Sequence, residues 1–126
     1  MIGPVPLPSL DGRSFRDVSP APAGDGGGET VFAYHEDVDG TVWARYGGGA
    51  VRLGFLVGTR DQDGLDFRYA HVTDDGDTAT GHCRSHIEQL TDGRLRLHET
   101  WAWDSREGSG TSVGEEVPAQ SSSDQC

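Results

Sequence analysis

The chain contains no lysine: its ten basic residues are all arginine, set against 21 acids, for a net charge of −11 over 126 residues. That absence excludes lysine Schiff-base chemistry and a lysine phosphate clamp, and the negative field opposes nucleic acid and anionic membranes as partners. No apolar run reaches the length of a membrane span. The start, MIGPVPLPSLDG, has neither the basic segment nor the long apolar stretch of a secretory leader, so a cytoplasmic protein is expected. Cysteine is scarce: Cys83 falls on an expected core strand and Cys126 ends a polar tail, and no structural disulfide is expected. Helical periodicity is missing throughout. The Gly-rich segments GDGGGE and YGGGA do not lead into a helix with GK[ST], so they read as loops and not as phosphate cradles.

What is present is regular punctuation. Asp39-Gly40, Asp63-Gly64, Asp75-Gly76 and Asp92-Gly93 lie between apolar alternations, and Gly47-Gly48-Gly49 supplies a further turn. Asp-Gly is a strong hairpin signal because both residues accept the positive φ of tight turns. The intervals predict strands near 13–18, 30–37, 41–47, 50–61, 65–73, 77–90, 94–104 and 111–117. So long a meander in so short a chain must hide its edges. The expected fold is therefore all-β, an up-and-down antiparallel meander of about eight strands closing into a small lipocalin-like (calycin-like) barrel, with an open curved sheet or sandwich as the alternative. The expected layout is a flexible Pro-rich N-terminus over 1–11, one barrel domain over 12–117 and a disordered polar tail over 118–126.

Alternation also assigns the inner faces, because a one-residue slip would turn a strand's whole apolar set outward. It directs Phe32 and Tyr34 inward, then Val42, Ala44 and Tyr46, then Val51, Leu53, Phe55 and Val57. The later strands add Leu65, Phe67, Tyr69 and His71, then Ala79, Gly81, Cys83, Ser85 and Ile87, then Leu95, Leu97, Glu99, Trp101 and Trp103. His35, Arg45, Arg52, Asp66, Arg68, His82, Arg84, His86, Arg96 and His98 fall on the solvated side. Trp43 falls there too, and reads as lying under the N-terminal arm or at an interface; a homodimer is the assembly to test. The inner list holds more polar groups than a filled core needs, and small Gly81, Cys83 and Ser85 leave volume beside Trp101 and Trp103. An aromatic-walled pocket with a few convergent polar groups is the usual anatomy of a small-molecule site.

Glu99, in the middle of the core face of LRLHETWAWDS, is the residue that most needs an account. A buried carboxylate must be paired or carry a raised pKa. One reading is structural, with tyrosine hydroxyls, a tryptophan N–H or an arginine satisfying it; the other is catalytic or ligand-binding, with His71 and Tyr69 as companions. GHCRSH brings His82, Cys83 and His86 close in sequence, but strand alternation puts the two histidines on one face and the cysteine on the other, so no metal site is expected.

The elements RYxH, GxC, RLHExWxW and GTSxxEE, in residues 12–117, resemble a family of small single-domain bacterial proteins often labelled N-acetylglutamate synthase. The resemblance implies a β-only, lipocalin-like shape and draws attention to Arg68, Tyr69, His71, Cys83, His98, Glu99, Trp101, Trp103 and Glu115. An acetyltransferase of that kind would need an α/β scaffold with a backbone nest for a cofactor pyrophosphate, which the chain does not offer. Three functional readings follow, none needing a cofactor. The first is a barrel binding a compact, partly apolar metabolite through Phe32, Tyr34, Tyr46, Phe55, Phe67, Cys83, Trp101 and Trp103, oriented by Glu99 and His71. The second is a cofactor-independent cyclase or isomerase of specialised metabolism using Glu99, His71 and Tyr69. The third is a structural or interaction module with a filled core.

Overall fold

A computed structural model describes residues 7–19 and 27–118. Eight strands follow in chain order: β1 (Ser14–Asp17), β2 (Val31–Glu36), β3 (Thr41–Gly48), β4 (Val51–Arg60), β5 (Gly64–Thr73), β6 (Thr78–Gln89), β7 (Leu95–Trp103) and β8 (Ser109–Glu116). Each pairs antiparallel with the next, and β1 pairs with β8, so the meander closes into a barrel without a free edge. At the closure Arg13 forks onto both carboxylate oxygens of Glu116, at 2.8 and 2.9 Å. Among the described residues no helix is long and apolar enough to cross a membrane.

The turns follow their chemistry with one exception. Gly40, Gly76 and Gly93 take φ of 88°, 88° and 93°, as tight Asp-Gly hairpins require. Gly64 does not have a positive φ; the Asp61 carboxylate accepts its N–H at 2.8 Å, and the peptide folds back through Asp61 N to Gly64 O at 3.0 Å.

Strand parity agrees with the sequence reading except on β4. Val51 is buried, but Phe55 and Val57 are 54% and 60% exposed, and the residues facing the lumen are Gly54, Leu56 and Gly58. Leu53, Phe55 and Val57 were expected inside and are not. The register slips between Tyr46 and Gly48 against β3 and between Val51 and Leu53 against β5, and the extra residue inverts the alternation beyond it. The inversion makes room: a Cβ on Gly54 would enter the Tyr46 ring, and one on Gly58 would strike the Asp66 carbonyl and Phe67 at its Cα and Cβ. Phe55 therefore leaves the expected ligand-binding set, and with Val57 and Trp43 it forms an apolar stripe on the outer surface, where Val57 lies opposite Trp43. Trp43 itself stacks on His35 at 5.3 Å.

The barrel is filled at one end only. The closed end packs Leu10, Val42, Leu65, Ile87, Leu95 and Leu97, all 3% exposed or less. Within the segment expected as a flexible arm, residues 7–10 lie against this end. Leu10 is fully buried, its N–H donates to Glu36 Oε1 at 2.9 Å, and Arg60 donates to that same oxygen and to the Pro8 and Leu7 carbonyls. The earlier part of that arm, residues 1–6, and the tail from 119 onward, with Cys126, lie outside the described residues.

Candidate functional site

The other end, which carries the β1–β2, β3–β4, β5–β6 and β7–β8 connections, holds a cavity of about 90 Å³ opening to solvent. All eight strands except β4 bring polar or aromatic side chains to it. Phe32, Tyr34, Tyr46, Phe67, Tyr69, His71, Cys83, Glu99, Trp101 and Trp103 line it, so every residue expected at the site is there except Phe55.

The aromatic wall is continuous. Phe32 stacks on Tyr46 at 4.5 Å; Tyr46 meets His71 edge-on at 5.7 Å; His71 and Tyr69 each meet Trp103 at 5.8 Å; and Trp103 meets Trp101 at 5.5 Å. Tyr46 Oη and His71 Nδ1 are hydrogen-bonded at 2.9 Å, which fixes both rings. Tyr69 is seated across from Gly81, where any Cβ would strike its phenol. The small residue on β6 thus provides space, but Tyr69 takes part of it. At the mouth the Arg106 guanidinium lies 4.0 Å over the Trp103 ring.

Glu99 faces this lumen, packed by protein yet with some surface open to the cavity. Burial pushes its carboxyl up to about 7; the Ser112 hydroxyl, donating to Oε1 at 2.8 Å, works the other way, and the nearby charge of Asp17 adds to the rise. No arginine and none of the expected companions bonds to it among the described residues: Tyr69 donates weakly to the Ala102 carbonyl at 3.4 Å, and His71 is held by Tyr46. Burial likewise pushes the Tyr34 phenol and the Cys83 thiol upward, with the Glu99 charge adding to both, so both stay protonated. The Tyr34 hydroxyl is wholly buried in the cavity wall and has no hydrogen-bond partner among the described residues. A buried hydroxyl left so costs roughly 1–3 kcal/mol.

The sequence reading missed Phe15, Asp17, Thr30 and Ser112, all of which line the cavity. Alternation could have placed Phe15 with Asp17, and Ser112 with Gly114, but β1 and the polar β8 carry too few apolar residues to set their parity. Other residues brought forward by the resemblance point away. Arg68 pairs with Asp104 at 2.8 Å, His98 with Glu88 at 2.8 Å, and Glu115 with Arg94 and Arg96 at 3.0 Å, all on the outer surface. His82 bonds Asp66 there at 2.7 Å while Cys83 faces inward, and the described residues contain no group of three potential metal ligands.

No curated protein and no solved structure matched the chain. A family model did, over residues 8–117, which covers every strand of the closed barrel and its aromatic lumen, and the chain belongs to the family of avidin-like proteins.

Proposed function

We propose that this protein binds a compact, partly apolar small molecule in the open half of its barrel, between the Tyr46–His71 pair on one wall and Glu99 with Ser112 on the other. The observation that carries the reading is the cavity itself: a barrel whose closed end is packed solid keeps about 90 Å³ unfilled among aromatic rings. Membership of the avidin-like family supports a ligand-binding role and puts biotin-like compounds in any test panel. Size argues for something smaller than biotin, since a closed apolar cavity of about 150 Å³ takes a guest such as benzene and this one, open to solvent, is about 90 Å³; a bicyclic compound would have to displace mouth side chains such as Trp103.

The test is ligand-dependent quenching of Trp101 and Trp103 fluorescence in a Trp43→Phe background, with a fragment panel that includes biotin. Saturable quenching, lost in a Cys83→Trp variant that fills the lumen, supports the reading; a panel without one saturable binder overturns it. An acid/base role for Glu99 in a cyclase or isomerase is the second reading. It rests on the near-neutral carboxyl alone and has no support from the family. Self-association as a homodimer through Trp43, Phe55 and Val57 is also part of the proposal, supported by the exposed apolar stripe these residues make.

A further inference from the structure

Apart from His71, which is bonded to Tyr46, the charged side chains on the cavity wall are of one sign. Two carboxylates, Asp17 and Glu99, line it; among the described residues no arginine does, and the chain has no lysine. Other part-buried carboxylates of the barrel have cationic partners: Glu36 has Arg60, Glu116 has Arg13 and Glu115 has Arg96. Among the described residues Glu99 has only the neutral Ser112 hydroxyl, and none of the groups facing it from the other strands pairs with its charge. Asp17 on β1 is of the same sign, while Tyr34 on β2, Tyr69 on β5 and Cys83 on β6 are held protonated. His71, also on β5, is turned to Tyr46.

The rest of the wall is aromatic. Ring faces carry negative quadrupole density and attract a cation that has shed its water, by about 2 kcal/mol when desolvated. The barrel already shows the interaction in miniature where Arg106 lies over Trp103. An aromatic enclosure and a buried carboxylate that no described residue neutralises are together complementary to one kind of guest.

We propose that the lumen takes a compact organic ammonium ion, with Glu99 as its counter-ion and the Tyr46, Trp101 and Trp103 rings around its apolar substituents. The inference rests on the lumen-binding reading and names the charge class of the guest. Asp17 attracts the ion from the cavity edge. Binding is linked to protonation: Glu99 sits near 7 when the lumen is empty, so a bound cation pulls that value down and expels the proton. Affinity for the cation therefore falls about tenfold for each pH unit below 7, and levels off above it.

The experiment is calorimetric titration with tetramethylammonium, choline, the neutral choline isostere 3,3-dimethylbutan-1-ol, and biotin, between pH 5.5 and 8.5. At pH 8 choline should bind at least about tenfold more tightly than its isostere, a difference of about 1.4 kcal/mol. At pH 6 binding should release close to one proton, read from buffers of different ionisation enthalpy. Glu99→Gln should abolish the preference for charge while the isostere still binds. If that variant does not fold, Asp17→Asn should weaken choline alone, and the native pH profile still decides. Equal or tighter binding of the isostere or of biotin overturns the cation assignment and leaves lumen binding standing. Failure of choline and tetramethylammonium to bind at pH 8 overturns it as well, whatever the fragment panel finds. Saturable choline binding that survives Cys83→Trp would place the ion outside the lumen and overturn it too.

Discussion

The hydroxyl of Ser112 donates to Glu99 Oε1 across 2.8 Å, joining β8 to β7 inside the lumen, and it is the only hydrogen bond this carboxylate receives from the described residues. One neutral donor does not offset burial, so Glu99 keeps its proton to about 7. A carboxyl whose pKa is raised on folding favours the native state below the unfolded value of 4.5. It withdraws that contribution as the pH climbs toward 7. The barrel should therefore lose stability between pH 5 and 8 by an amount on the order of 3 kcal/mol from this group. Glu99→Gln should flatten that slope in urea melts. A native protein equally stable at both pH values would show that Glu99 is ionised throughout.

Ser112→Ala removes the bond that works against the rise. Glu99 should then titrate at a higher pH, and the loss of stability with rising pH should extend further and grow larger. Carboxyl titration followed by NMR reads this directly; a downward shift would mean that the hydroxyl had been accepting a proton and not donating one.

Gly54 lies under the Tyr46 ring, and a Cβ there would also come within 2.8 Å of His71 Cβ. Gly54→Ala should cost roughly 1–3 kcal/mol, the usual penalty of overpacking, and should break the Tyr46–His71 hydrogen bond. Thermal melts and the His71 imidazole resonances measure the two effects. A substitution neutral in both would place Tyr46 away from β4.

Leu10 is fully buried at the closed end, held by Glu36 and the Arg60 clamp. Leu10→Ala should destabilise by roughly 2–5 kcal/mol through the cavity it leaves. Loss of stability without loss of lumen binding is the expected pair of results, because the plug and the site occupy opposite ends. A melting temperature within a degree of native would show that residues 7–10 do not close the barrel.

Phe55 and Val57 stand exposed beside Trp43. Sedimentation equilibrium of the native protein should show a dimer that Phe55→Glu dissociates with little change in monomer stability. A native monomer at all concentrations up to about millimolar would remove the homodimer from the proposal, since a Kd of 1 mM corresponds to only about 4 kcal/mol.

The topology was legible in the sequence because the forces that set it are local. Asp-Gly turns fix hairpins through the backbone freedom of two residues, and period-two alternation fixes which side of most strands is apolar. From these came the strand order, the closure and the aromatic lumen with Tyr34, Tyr46, Tyr69, His71, Trp101 and Trp103. What depended on packing across the barrel could not be read from one strand. Alternation along β4 pointed Phe55 inward, and only the bulges against its neighbours, and the demand of Tyr46 and Phe67 for glycine beneath them, turned it out. Glu99 was placed in the core by its own strand, but its partner comes from β8 and its nearest charge from β1, which reach it because the barrel closes. Strand alternation alone buries a carboxylate among rings; that no arginine of the described residues pairs with it follows from the closed barrel, in which Arg13 and Arg60 bond at the closed end, Arg94 and Arg96 pair with Glu115, and Arg106 lies over Trp103 at the mouth.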